Sequence, residues 1–299
     1  MRSLTGRILA VAWAGTLGFL IIVFGAGVWA ALVAANLSAS PAVPWAIPVM
    51  TLVLWLMWQY LAGKGWPRSI SRARHLCLRA NPVSAPALVW SLLAGTLSVV
   101  AFAGFWIVMF QLVSMPANAL PDFSRYPLFT VVLMILMGSV AAPLTEEPAF
   151  RGYCQVILER KFSGPIAVVI SSALFALAHG PTQGFLWPKL LFYFLVGIVF
   201  GSTAYLTNSI LPAIPGHVIG LLIFFTLVWP HDAARRLVWE SGTDVWFWVH
   251  GSQAIVCAAL AVWAFRRLAK VCNYGAAFRT KETYRFHEGI PSKEQPNRA

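Results

Sequence analysis

Long apolar blocks separated by short polar segments dominate the sequence. They cover about residues 8–35, 45–62, 86–113, 127–159, 164–179, 188–207, 210–229 and 245–265. Several blocks reach roughly 20 residues, the length that an α-helix needs to cross the hydrocarbon core of a bilayer. The pattern predicts an all-α fold, a polytopic membrane bundle of about eight transmembrane helices.

Composition and charge agree with a membrane environment. Hydrophobic residues make up 59% of the chain and charged residues 11%, whereas a soluble domain carries about 25% charged residues. The net charge of +12 raises the possibility of nucleic-acid binding. The basic residues, however, lie mainly between or after the apolar blocks, where the positive-inside rule places them. We therefore expect the lipid bilayer, and no nucleic acid, as a partner.

The distribution of Lys and Arg also predicts an orientation. With the N-terminus inside, most of the 22 basic residues fall in inner segments, so both termini are expected in the cytoplasm. The compact length fits a bacterial inner (plasma) membrane. We expect a transmembrane bundle over residues 1–270 and a polar, loosely ordered cytoplasmic tail over residues 271–299.

A few ionisable residues lie well inside the apolar blocks, where burial is costly and indicates function. They are Glu146, Glu147, Arg151, His179 and His217. Glu147 and Arg151 are four residues apart, so on a helix they share a face and can pair. Such pairing makes the burial of one carboxylate tolerable.

The fourth apolar block is too long for a simple crossing and contains two prolines. Pro143 is expected to interrupt its helix, Thr145 is a candidate N-cap, and Pro148 would fall in the first turn that follows. We therefore predict a kinked or discontinuous span, with a second helix that begins at Thr145. Both glutamates would then lie at the positive end of that helix.

Chain spacing brings Glu146 close to His179. The turn between the fourth and fifth blocks lies near Phe162, which is 16 residues after Glu146 and 17 before His179. In a tight antiparallel hairpin the two residues reach the same depth. His217 lies on a separate hairpin, so spacing does not give its distance from the glutamates.

A buried carboxylate beside a histidine can activate water by general-base catalysis, and a second histidine can donate a hydrogen bond to a developing oxyanion. No serine or cysteine nucleophile motif stands out. Two histidines and a carboxylate can also hold a divalent metal such as zinc. Because HExxH spacing is absent, we expect a mechanism without a cofactor or metal and keep the metal as the alternative.

The residues from Glu146 to Gly152 resemble the EExxFRG motif of the CPBP family, which includes the CAAX prenyl endopeptidases and the bacteriocin-processing or self-immunity proteins. The stretch from Phe175 to His179 resembles the second motif of that family, FxxxH, and the region around Pro212 and His217 resembles the third, HxxxN. The resemblance covers about residues 127–229.

The resemblance implies a glutamate-dependent intramembrane endopeptidase that acts on a membrane-anchored or lipidated protein or peptide. It implies that Glu146 and His179 activate water, that His217 contributes to the oxyanion site, and that Glu147 and Arg151 support them.

One position departs from the family pattern. The third motif ends in asparagine, which shares the oxyanion role, whereas this chain has Leu221. Loss of one oxyanion donor costs on the order of 10²–10³ in rate. The departure keeps a non-catalytic membrane scaffold or immunity protein open as the first alternative. A transporter that uses the buried charges as an ion path, or a metal-dependent membrane hydrolase, is the second.

Overall fold

The computed structural model describes residues 4–117 and 123–288, with side chains as far as residue 273. Over these residues the chain forms helices and loops, without a strand. The charged residues Arg2 and Asp122 lie outside the described residues, as does the end of the predicted tail from residue 289 onward.

Ten helices follow one another along the described chain. They are α1 (Leu4–Ala39), α2 (Ala46–Leu61), α3 (Ser71–Leu78), α4 (Ala85–Leu112), α5 (Leu128–Glu159), α6 (Gly164–Gln183), α7 (Trp187–Thr207), α8 (Ala213–Ala234), α9 (Val238–Ser241) and α10 (Val245–Glu288). Single 3₁₀ turns precede α3 and α5.

Seven of the described helices are long and apolar enough to cross a membrane, namely α1, α4, α5, α6, α7, α8 and α10 up to Asn273. The polytopic helical bundle is therefore confirmed. The predicted span at 45–62 corresponds to α2, an apolar helix of only 16 residues. Helix α10 continues to Glu288, beyond the boundary that the sequence predicts for the bundle.

Two apolar clusters fill the interior of the bundle. The larger one centres on the fully buried ring of Trp106 in α4 and includes aromatic side chains of α5, α6, α7 and α8. The smaller one joins α2 and α3 to α5, to the end of α7 and to the loop before α8. Because α5 contributes to both clusters, its middle turns are covered on all sides.

Helix α5 differs from the sequence prediction. It does not restart at Thr145; it runs as an α-helix to Glu146 and as a π-helix from Glu147 to Cys154, and it ends with an α-helical turn. The hydroxyl of Thr145 donates a hydrogen bond to the carbonyl of Ala142, inside the helix. The prediction of a new helix start at Thr145, and of glutamates at its positive end, is therefore wrong.

Neighbouring helices add hydrogen bonds to the irregular α5 backbone. Pro148 has no N–H, so the carbonyl of Leu144 four residues earlier loses its helical donor. The indole Nε1 of Trp58 in α2 donates to that carbonyl at 2.8 Å. The carbonyl of Phe150 keeps a π-helical bond from the N–H of Gln155 and also accepts one from the hydroxyl of Ser171 in α6 at 2.8 Å. Broken helices persist in membranes where such partners satisfy the freed backbone groups.

Two glycines let other segments approach α5 closely. A Cβ atom at Gly25 of α1 would overlap the side chain of Thr145. A Cβ atom at Gly152 would lie 2.9 Å from the carbonyl oxygen of Cys77 and 3.0 Å from that of Leu78. The glycine of the EExxFRG stretch therefore provides room for the backbone at the end of α3.

Candidate active site

The carboxylate of Glu146 lies between two histidines. Its Oε1 atom is 3.9 Å from Nε2 of His179, and its Oε2 atom is 3.6 Å from Nε2 of His217. The structure thus brings together Glu146 and His179, as the hairpin spacing predicts, and adds His217 from α8. Both separations exceed hydrogen-bonding distance, and all three side chains line the same cavity.

The backbone and an aromatic ring fix the orientation of His179. Its Nδ1 atom lies 2.8 Å from the carbonyl oxygen of Phe175, one turn earlier in α6. A carbonyl accepts hydrogen bonds only, so Nδ1 carries the proton and donates. The ring also stacks on Tyr193 of α7 at a centroid distance of 4.0 Å. In the neutral ring Nε2 is therefore an acceptor, and it faces Glu146.

Glu147 fixes the orientation of His217. The Nδ1 atom of His217 donates to Oε1 of Glu147 at 2.8 Å. The imidazole ring stacks on Phe200 of α7 at a centroid distance of 4.9 Å. Adjacent glutamates on α5 therefore face different nitrogens of the same histidine, Glu147 facing Nδ1 and Glu146 facing Nε2.

Arg151 and Glu147 form the ion pair that their spacing predicts. Nη1 of Arg151 lies 3.4 Å from Oε1 of Glu147, and both side chains are fully buried. The guanidinium lies over the ring of Phe175 with Cζ 4.1 Å from the centroid. The ring of Phe175 also packs edge-on against the ring of His179, with the two centroids 4.5 Å apart. The phenylalanine of the FxxxH stretch thus packs between the buried cation and the histidine.

Glu146, His179 and His217 line one wall of an apolar cavity of about 220 Å³. They are the acidic and basic side chains that line the cavity. Thr182 and Gln183, at the end of α6, add polar side chains. The rest of the wall is mainly aromatic and aliphatic, including Phe102, Phe192, Phe224, Phe225 and Trp229. An apolar wall beside a few convergent polar groups is the usual form of a small binding site in a protein.

Leu221 and Gly220 also line this cavity. The position that carries asparagine in the third family motif is therefore at the cavity wall, where Leu221 offers no hydrogen-bond donor. Sequence reasoning missed the aromatic supports Tyr193 and Phe200. No local signal marks them, because they lie on α7 and meet the histidines only through helix packing.

Cysteine offers no competing nucleophile in this cavity. The four cysteines are free, and none lines the cavity wall. Outside the spans, Cys77 is buried beside Arg160, whose guanidinium donates to its sulfur at 3.7 Å. Burial raises the pKa of the Cys77 thiol, against the opposing effect of Arg160. Within residues 4–117 and 123–273, whose side chains the structure describes, no group of three or more His, Cys, Asp or Glu is arranged to hold a metal ion.

Fold and site together define a polytopic helical membrane protein with a glutamate–histidine centre buried between its helices. Residues 128–229 match the family model described as type II CAAX prenyl endopeptidase, Rce1-like. The match confirms the resemblance to the CPBP family over about a third of the chain. Comparison with the curated proteins and with the solved structures gives no match.

Proposed function

We propose that this protein is a glutamate-dependent intramembrane endopeptidase that hydrolyses a peptide bond in a membrane-anchored or lipidated polypeptide. One observation carries the proposal. The two carboxylate oxygens of Glu146 face the Nε2 atoms of His179 and His217 at the wall of an apolar cavity. The family match supports the same class of reaction.

Glu146 and His179 are suited to hold the attacking water. A water oxygen about 2.8 Å from both Oε1 of Glu146 and Nε2 of His179 would subtend an angle of about 90° at their separation of 3.9 Å, near the angle between its two O–H bonds. The water would donate one hydrogen to each residue. Its lone pair would then point away from both, toward a substrate carbonyl carbon.

The hydrolysis proceeds in two steps. Glu146 takes a proton from the water while the water oxygen bonds to the carbonyl carbon, and the carbonyl oxygen becomes an oxyanion. Glu146 then passes the proton to the peptide nitrogen as the C–N bond breaks, which leaves a carboxylic acid and an amine. General-base catalysis of this kind contributes about 10²–10⁴ in rate.

His217 would stabilise the oxyanion. Because Nδ1 donates to Glu147, donation from Nε2 to the oxyanion requires a proton on both ring nitrogens. The charges of Glu146, Glu147, Arg151 and His217 then sum to zero. A neutral cluster avoids most of the cost of a net charge in an apolar interior.

A comparison of membrane-protein termini tests the proposal. Cells that lack this protein are complemented with wild type, with Glu146→Gln, or with Glu240→Gln, which removes an exposed carboxylate away from the cavity. We expect a defined set of new termini with wild type and with Glu240→Gln, and none with Glu146→Gln. A chelator applied to isolated membranes examines the zinc alternative, in which cleavage would stop.

The second candidate is a non-catalytic scaffold or immunity protein, favoured by Leu221 at the cavity wall. It predicts identical termini for wild type and Glu146→Gln while both rescue the phenotype of the deletion. That result would overturn the endopeptidase.

A further inference from the structure

Several polar contacts gather at one end of the bundle. The guanidinium of Arg79, just after α3, pairs with Glu159 at the end of α5 at 2.9 Å and donates to Asn208 after α7 at 3.1 Å. Arg7 of α1 lies over the ring of Phe162, between α5 and α6, at 5.8 Å. The start of α1, the α3 segment and the loops after α5 and α7 therefore meet at one end, called the basic end here.

The last crossing of α10 finishes at the same end. Trp263 lies edge-on against Trp90, near the start of α4, with ring centroids 5.2 Å apart. Arg266, Arg267 and Lys270 follow within two turns. The C-terminal part of α10 therefore leaves the bundle at the basic end.

Charge differs sharply between the two ends. Described basic residues of the α3 segment and the α5–α6 loop give the basic end most of its charge: Lys64, Arg68, Arg72, Arg74, Arg79, Arg160 and Lys161. The described loops at the opposite end hold Arg125, Arg235 and Arg236, offset by Asp232, Glu240 and Asp244. The positive-inside rule assigns the basic end to the cytoplasm.

The catalytic cavity lies toward the opposite end. Its polar rim is Thr182 and Gln183, the last two residues lining it from α6, and Trp229 of α8 lies on the same side. Helix α7 lines it from Phe192 to Phe200, leaving out the turns nearest the basic end. Residues 159–163 and 207–212, which form the loops of the basic end, contribute nothing to its wall.

We infer that the cavity receives its substrate from the extracytoplasmic side of the membrane. The substrate class is a membrane-anchored polypeptide whose scissile bond lies in its outer-leaflet or extracytoplasmic juxtamembrane segment, with apolar side chains to fill the aromatic wall. This inference rests on the proposed function for cleavage, while the direction of the opening stands on charge and geometry alone. A segment confined to the cytoplasm does not reach Glu146.

Cysteine labelling tests the direction of the opening. A parent in which Cys77, Cys154, Cys257 and Cys272 are replaced by alanine receives one cysteine at a time. Thr182→Cys places the cysteine at the cavity rim, and Lys161→Cys places it at the basic end. Ser241→Cys places it on the surface at the end opposite the basic end. A membrane-impermeant maleimide is added to spheroplasts or to inverted vesicles. Should the parent fail to fold, a second parent keeps the buried Cys77 and Cys154 and replaces only the other two.

We expect Thr182→Cys and Ser241→Cys to react in spheroplasts, and Lys161→Cys to react only in inverted vesicles. Labelling of Thr182→Cys only in inverted vesicles, or its failure to react in spheroplasts where Ser241→Cys reacts, overturns the inference. The labelling is repeated with Glu146→Gln, because it does not depend on activity.

The termini found by mass spectrometry separate this inference from the proposed function. We expect the wild-type-dependent termini to map to extracytoplasmic segments. Termini in cytoplasmic segments overturn the inference and leave the endopeptidase intact. The absence of any such terminus, with Thr182→Cys labelled from outside, overturns the endopeptidase and the substrate class but leaves the outward opening intact.

Discussion

The imidazole of His217 donates a hydrogen bond from Nδ1 to Oε1 of Glu147 at 2.8 Å, across 70 positions of sequence. This bond gives the two adjacent glutamates of α5 different tasks. Glu147 holds the histidine and balances Arg151, whereas Glu146 keeps its carboxylate toward the cavity. The predictions below separate the two tasks.

Replacement of Glu146 by glutamine removes the proposed base while keeping the size of the side chain. We expect cleavage to fall by about 10²–10⁴, the usual contribution of general-base catalysis. The fold should persist, because the nearest histidine nitrogens lie 3.6 and 3.9 Å from the carboxylate of Glu146, beyond hydrogen-bonding distance, so the substitution removes no hydrogen bond to them. Cleavage of a substrate found by terminus analysis is measured in vesicles, with Glu240→Gln as the control. Wild-type rates in Glu146→Gln would rule out this base.

Replacement of Glu147 by leucine leaves the buried cation of Arg151 without its counter-ion. Removal of one partner of a buried ion pair costs about 3–5 kcal/mol. We expect a correspondingly large loss in thermal stability of the purified protein.

The double variant Glu147→Leu/Arg151→Met distinguishes stability from chemistry. With no unpaired charge left, most of the lost stability should return. The cleavage rate should stay low, because Nδ1 of His217 still lacks its acceptor. Recovery of stability and rate together would show that Glu147 has no part in placing His217.

Restoration of the family asparagine gives a gain-of-function prediction. Leu221→Asn places an amide donor at the cavity wall, and an added oxyanion donor is worth up to about 10²–10³ in rate. Leu221→Ala is the control, because it widens the cavity without adding a donor. An equal effect of both variants on cleavage would indicate that position 221 acts through space alone.

The indole of Trp58 is predicted to stabilise the irregular part of α5. In Trp58→Phe the carbonyl of Leu144 loses its donor, at a cost of about 1–3 kcal/mol for a buried acceptor left unpaired. Trp55→Phe is a matched control on the same helix, since Trp55 is exposed on the outer surface of the bundle. The two thermal unfolding midpoints are compared in the same detergent, and equal midpoints would contradict the assigned role.

Sequence spacing alone predicted the contacts that the helical hairpin of α5 and α6 makes in the site. Glu146 and His179 lie at nearly equal chain distances from Phe162, and their side chains lie 3.9 Å apart. The pairing of Glu147 with Arg151 also follows from a separation of four residues. The first relationship follows from the regular rise of two antiparallel helices, and the ion pair persists although Glu147 and Arg151 lie in the π-helical part of α5.

Sequence spacing did not predict the contacts between separate hairpins. The approach of His217 depends on how α8 packs against α5, which no spacing encodes. Thr145 and Pro148 read locally as a helix start, yet α5 continues because Trp58 from α2 replaces the missing donor. Inside a bilayer, every backbone carbonyl needs a partner, so a distant residue can decide the course of a helix.

The brevity of α2 has a consequence for the surrounding lipid. At 1.5 Å per residue, its 16 residues span about 24 Å, less than the hydrocarbon thickness of about 30 Å. Such a hydrophobic mismatch is met by local thinning of the bilayer and by snorkelling of flanking side chains. Since Trp58 of α2 donates to α5 only two residues from Glu146, a change in the tilt or depth of α2 acts directly on the helix that carries the proposed base. Acyl-chain length is thereby coupled to the environment of this helix.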